Sequence, residues 1–412
     1  MKRARIESFV RSRRYALCIC AAAAILAGCG GSQTPIGVPR ATPRAATVAW
    51  HVDRGGSYKS VYSFKGNPDG ASPLEGLIAL NGTLYGTTIY GGAKGFGTVF
   101  DVSTAGAEHV LHSFEETPDG WYPLSALLAR PGKLYGTTSG GGAGNLGTVF
   151  IINTSGGESV LYSFGAPPDG DSPWAGLLVV NGTLYGTTLD GGSGFGTVFA
   201  LSISGTENVL YKFKNEPDGA EPQAPLIDLN GTLYGTTYYG GSGSGDGYGT
   251  VFEVSTSGSE RVLYAFKGGS DGGHPGLGGL LVVHGALYGT TESGGANNEG
   301  TVFKITTSGT ESIVYSFKGA PDGAQPDAGL TDISGELYGT TTEGGSGCAP
   351  STGCGTIFRV SRSGKERELY RFKGKPDGAF PETQLTDVGG RLYGTTDSGG
   401  TSNDGTVFRI SP

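Results

Sequence analysis

Methionine occurs once in 412 residues, tryptophan three times, and histidine and cysteine five times each. No two histidines stand at ligand spacing, which removes the usual sequence signal of a zinc centre. There is no Gly-x-Ser-x-Gly elbow and no phosphate loop, so the motifs of a serine hydrolase and of a nucleotide-binding enzyme are missing. Long apolar runs are absent: the longest, Ala16 to Ala27, is too short to span a bilayer comfortably. Basic charge is scarce as well. Residues 1–28 hold six of the 29 Lys/Arg and one of the 37 Asp/Glu, which leaves 23 basic and 36 acidic residues for the rest. That balance argues against nucleic acid, whose phosphates need a basic footprint. Paired carboxylates for glycoside cleavage stay open, because their separation is set in space and not in sequence.

What the chain has in quantity is glycine (78), tyrosine (20) and phenylalanine (18). They are organised around the pentapeptide Leu84-Tyr85-Gly86-Thr87-Thr88, which returns at Leu134, Leu184, Leu233, Leu287, Leu337 and Leu392. The steps are 50, 50, 49, 54, 50 and 55 residues. A period of this size signals a solenoid or a propeller. Each unit holds four short β-rich runs separated by turn signals. We label them a (PxxxLxxL), b (LYGTT), c (GTVFxV) and d (LYSF). The a–b turn is Asn-Gly at Asn81, Asn181 and Asn230, a strong hairpin signal. The expected fold is therefore all-β, a seven-bladed β-propeller with four antiparallel strands per blade. The units start out of phase. Val61 to Phe64 is a d run with no a, b or c before it, and Thr406 to Ile410 is a c run with no d after it. Pairing residues 58–64 with 405–411 makes one composite seventh blade and closes the ring, where an open array would leave exposed edges.

The layout resembles a kelch repeat. The signature Leu-Tyr-Gly-Thr-Thr, then Gly-Gly, then Gly-Thr-Val-Phe, as at Leu184 to Phe199, resembles more closely the GloVer tandem-repeat family of bacterial surface proteins, over about residues 57–412. That resemblance implies a surface location and varied anchoring signals. It implies no biochemical activity.

The N-terminus carries Lys2, Arg3, Arg5, Arg11, Arg13 and Arg14 before the short apolar run, the pattern of a signal peptide. Arg13-Arg14 also resembles a twin-arginine export motif. Leu26-Ala27-Gly28-Cys29 resembles the lipobox of bacterial lipoproteins, which implies lipidation at Cys29. Gly30 in place of Asp after that cysteine favours the outer membrane. The expected organisation is a lipoprotein signal peptide (1–28), acylated Cys29 with a disordered tether (29–56), and the propeller (57–412). One acyl chain holds a protein to a membrane marginally and two or three hold it stably.

Pro-Asp-Gly, or Ser-Asp-Gly once, precedes every strand a, with Asp69, Asp119, Asp169, Asp218, Asp271, Asp322 and Asp377. A carboxylate repeated in every blade reads as turn chemistry. Function is expected where repeats differ, in the b–c loops and in the pair after each Asp-Gly, both on one face. Loops on a rigid scaffold commonly carry binding. Tyr90, Phe96, Trp121, Tyr122, Tyr238, Tyr239, Tyr248 and Phe380 fall in or beside these segments and are the candidate ligand-binding residues, as exposed rings for a glycan or a protein partner. Asp246, Asn297, Asn298, Glu299, Asn403 and Asp404 offer calcium-type oxygens without a regular ligand spacing, so no cofactor is expected. Cys348 and Cys354 are expected to form a disulfide outside the reducing cytoplasm. The sequence thus points to a lipid-anchored, monomeric binding or adhesion module. A carbohydrate-active hydrolase or lyase on the same face is the alternative, and a structural envelope protein the third reading.

Overall fold

The computed structural model describes residues 57–241, 245–348 and 352–412. The expected signal peptide, Cys29 and the tether lie outside the described residues. Among those residues, no helix is long and apolar enough to cross a membrane.

Gly56–Pro412 forms one compact unit of seven antiparallel sheets in the order a-b-c-d. In blade 1 the strands are Ile78–Leu80, Thr83–Thr88, Thr98–Ser103 and Glu108–Ser113. The seventh blade is composite, as the phase of the repeats requires. Its strands a, b and c are Thr386–Val388, Arg391–Thr396 and Thr406–Ile410, and its strand d is Lys59–Ser63. Lys59 pairs with Arg409 and Ser63 with Thr406. Strands a of successive blades touch, so strand a is innermost.

The LYGTT sequence explains itself by cross-strand partners. Gly86 sits opposite Phe100 of strand c, and a Cβ on Gly86 would lie 2.8 Å from that ring. The glycine is thus small because the Phe100 ring and Leu77 cover it. The two threonines divide their work. Thr88 Oγ1 meets Thr98 Oγ1 at 2.8 Å within the blade. Thr87 Oγ1 donates to the carbonyl of Ser125 in the next blade at 3.1 Å. Buried hydroxyls of this kind must be paired or they cost about 1–3 kcal/mol each.

No blade buries itself alone. The phenylalanine that ends each strand d packs edge-on against the strand-c phenylalanine of the next blade. Seven such pairs run from Phe64–Phe100 to Phe372–Phe408, with centroids 5.0–5.2 Å apart. Each contributes about 0.5–1.5 kcal/mol beyond the area it buries. The core is accordingly divided among the seams. One cluster joins Phe64, Tyr393 and Val407 of blade 7 to Leu77, Leu84, Phe100 and Val102 of blade 1.

The Pro-Asp-Gly carboxylates are scaffold. Asp69 Oδ2 accepts from Tyr62 Oη at 2.8 Å and from the Lys65 N–H at 3.1 Å. The same pair of bonds recurs at Asp169, Asp218, Asp271, Asp322 and Asp377. At Asp119 the tyrosine is replaced by His112, whose Nε2 lies 3.0 Å from Oδ2.

Candidate functional site

The two variable segments of each blade are joined by hydrogen bonds. Gly70–Ala71 pairs with Tyr90–Gly91, Gly120–Trp121 with Gly140–Gly141, and Gly378–Ala379 with Ser398–Gly399. The residue before each conserved proline then turns into the left-handed region. These residues are Ser72, Tyr122, Ser172, Glu221, His274, Gln325 and Phe380, with φ between 52° and 57°. None is glycine, and an L-residue there is strained by roughly 1–2 kcal/mol. Hydrogen bonding holds the conformation. The N–H of each donates to a b–c loop carbonyl of the preceding blade: Ser72 to Asp404, Tyr122 to Phe96, Ser172 to Leu146, Glu221 to Phe195, His274 to Tyr248, Gln325 to Glu299 and Phe380 to Cys354. Seven side chains of six kinds are thereby fixed at seven equivalent points of one ring. Strain of this kind clusters at functional sites.

Inside that ring, a short segment leads from the proline into strand a, the innermost strand. Its first residue is Leu74 or Leu124 in blades 1 and 2, but Gln223, Asp327 and Glu382 in blades 4, 6 and 7. Gln223 is 4 % exposed, and neither Oε1 nor Nε2 has a hydrogen-bond partner among the described residues. Asp327 Oδ1 accepts from the Leu277 N–H at 3.2 Å. Glu75, one position further along in blade 1, is pushed up to about 8. Desolvation is the main cause, followed by the charges of Asp327 and Glu382, with the Gly76 N–H opposing. Part of its surface remains accessible although protein surrounds it. None of these four residues stood out in the sequence. The available signal was a polar residue where other repeats place leucine.

The candidate aromatics are less exposed than the sequence suggests. Trp121 and Tyr122 are buried, and Tyr90, Phe96, Tyr238, Tyr239, Tyr248 and Phe380 are half-buried. They fill the seams between blades: Tyr90 packs on Tyr122 at 5.3 Å and Phe96 on Trp121 at 6.5 Å. Tyr238, Tyr239 and Tyr248 surround His274 at 4.9, 5.6 and 5.7 Å. Tyr238 Oη also donates to Glu292 at 2.7 Å. Beside it, burial and then the charges of Glu299 and Glu292 push Glu343 up to about 7. Phe195 of blade 3, passed over in the sequence, is the exposed aromatic ring among these loops.

Asn298 and Asn403 spend their side-chain oxygens on the Gly294 and Gly399 N–H groups, and the Asn297 amide donates to the Phe317 carbonyl. The Asn298 and Asn403 oxygens thus serve their own turns. Cys348 and Cys354 are disulfide-bonded with Cα atoms 5.3 Å apart.

Seven sheets of four antiparallel strands around one axis define a seven-bladed β-propeller. The Gloeobacter/Verrucomicrobia repeat matches residues 42–247 and 242–412, and the chain belongs to that family. No curated protein matches it. Among solved structures, it is similar to a puromycin hydrolase at 11% identity and a TM-score of 0.52, over 79% of this chain and 50% of that one. A gluconolactonase from Xanthomonas campestris has 14% identity and a TM-score of 0.43, covering 86% and 89% of the two chains. A luciferin-regenerating enzyme has 12% identity and a TM-score of 0.44, covering 87% and 96%. At these identities the likeness concerns the fold alone.

Proposed function

We propose that the protein is a lipid-anchored envelope module, held at Cys29, whose variable propeller face binds a hydroxyl-rich ligand of the glycan class at its axial end. The observation that carries this reading is Gln223. An amide with both polar atoms buried and unpaired costs the folded protein about 1–3 kcal/mol. The same repeat position holds the carboxylates Asp327 and Glu382 in blades 6 and 7. One amide donor and several carboxyl acceptors form the donor and acceptor set that sugar hydroxyls satisfy. The ring of left-handed residues, of six kinds over seven blades, supplies specificity around it.

A second reading rests on Glu75. A carboxyl held near 8 is protonated at neutral pH, and its place beside the Asp327 and Glu382 carboxyl groups is the arrangement of an acid–base pair. It makes the same site a carbohydrate-active hydrolase or lyase.

The test is thermal-shift screening of the purified protein against a polysaccharide panel, followed by product analysis. Leucine occupies the Gln223 position in blades 1 and 2, so Gln223→Leu is compatible with the fold. It should raise the melting temperature of the free protein and abolish the shift given by the glycan. Ligand at 100 times its dissociation constant should add about 2.7 kcal/mol to the wild type. Products that form with wild type and disappear with Glu75→Gln would select the enzyme. Silence across the panel would overturn the glycan reading and leave a protein partner or a structural role.

A further inference from the structure

We propose that the seam between blades 1 and 2 binds one divalent transition-metal ion of the zinc type through His112, Asp119 and Glu158. His112 lies on strand d of blade 1, Glu108–Ser113, and Glu158 opens strand d of blade 2, Glu158–Ser163. Asp119 lies in the turn between the blades. The ligand atoms of the three residues all fall within 4.8 Å of one another. His112 Nε2 and Asp119 Oδ2 are 3.0 Å apart, close to the roughly 3.3 Å that two ligands of one tetrahedral zinc ion keep. Asp119 Oδ1 and Glu158 Oε1 are buried and have no hydrogen-bond partner among the described residues. The side chains of His112 and Asp119 are 21% and 15% exposed, so an ion can reach them.

The repeats supply the control that makes this seam distinct. Six other seams place a tyrosine at the position of His112, and each phenol donates to the turn aspartate. A neutral phenol is a donor and a poor ligand, whereas imidazole is the commonest protein metal ligand. Glu108, Glu207, Glu260, Glu311 and Glu366 leave one oxygen unpaired as Glu158 does. A carboxylate pair is thus common to these seams, and the nitrogen is what sets this one apart. One imidazole and two carboxylates balance a divalent charge, and the nitrogen favours zinc, cobalt or nickel over calcium and magnesium. The Glu115 N–H donates to Asp119 Oδ2 at 3.0 Å and orients that carboxylate. Three protein ligands leave a fourth position for water.

Cobalt(II) titration of the chelator-stripped protein, read by its visible absorption and competed with zinc, tests the site. Wild type should bind one equivalent per chain, not one per blade. His112→Tyr installs the residue of the other six seams, so it should fold and melt as wild type does without metal. It should weaken cobalt binding by about a hundredfold or more, since losing a ligand exceeds the effect of losing its support. Glu158→Gln should weaken it as well. Failure of wild type to saturate at one equivalent would overturn the proposal, as would equal affinity in His112→Tyr. Unchanged affinity in Glu158→Gln would overturn the three-ligand assignment.

Discussion

Thr395 Oγ1 donates a hydrogen bond of 3.2 Å to the carbonyl oxygen of Glu75, across 320 sequence positions. The same threonine makes the same bond to the next blade at Thr87, Thr137, Thr187, Thr290 and Thr340. The last blade therefore treats the first as its ordinary successor. Stability should depend on that closure. Phe64 is fully buried and follows the strand that completes blade 7. Phe64→Ala should cost about 3–5 kcal/mol, read as a lower denaturation midpoint. A change below 1 kcal/mol would mean that the closing seam contributes little.

Stability should fall as pH rises from acid to neutral. Glu108, Glu158, Glu207, Glu260, Glu311 and Glu366 are each pushed up to about 7, by burial first and by the facing turn aspartate next. A folded value above the unfolded one of about 4.5 means that the native state holds more protons between them. The contribution is fully present below about 4.5 and is lost as pH rises through 7. These groups are only about half buried, so solvent screening reduces the size of the effect. Melting temperatures at pH 5 and pH 8 measure it. Glu260→Gln should flatten the profile and raise the value at pH 8. A profile that rises with pH would contradict this account.

Reducing the Cys348–Cys354 bond should destabilise the protein by roughly 2 kcal/mol, the chain-entropy value for so short a loop. The cysteine loop contacts the next blade, because the Cys354 carbonyl accepts from the Phe380 N–H. Unfolding with and without reductant, compared with a Cys348→Ser/Cys354→Ser double variant, measures the loss. Equal stability in all three would show that the loop is held without its bridge.

Gln325→Gly should stabilise the free protein by about 0.5–1 kcal/mol. It relieves a left-handed residue at φ 52° and gives back part of that gain in unfolded-chain entropy. The same change removes one of the seven ring side chains and should alter ligand binding. Destabilisation would show that the side chain itself supports the seam.

Much of this was legible in the sequence because each repeat states the same local rules. The period, the Asn-Gly hairpins and the phase shift between Val61 and Ile410 were enough for the blade count and the composite closure. The turn aspartates were legible as well, since Pro-Asp-Gly has a local mechanism. The ring of left-handed residues was not, because the turn that creates it is fixed by hydrogen bonds from another blade. Trp121 and Tyr122 read as surface residues because their loop varies, yet the adjacent blade covers them. Glu75, Asp327 and Glu382 are far apart in the chain and become neighbours only when the ring closes.

The composite blade also imposes an order in time. Among the strands of the propeller, Lys59–Ser63 is synthesised first and waits for Thr406–Ile410, the last of them, to become its partner. Contacts of such long sequence separation form late, since the loop between them must be closed first. The first propeller strand made is thus the last to be paired. Until then its edge is open, and the chain is vulnerable to pairing with another copy until Thr406–Ile410 arrives to cover it.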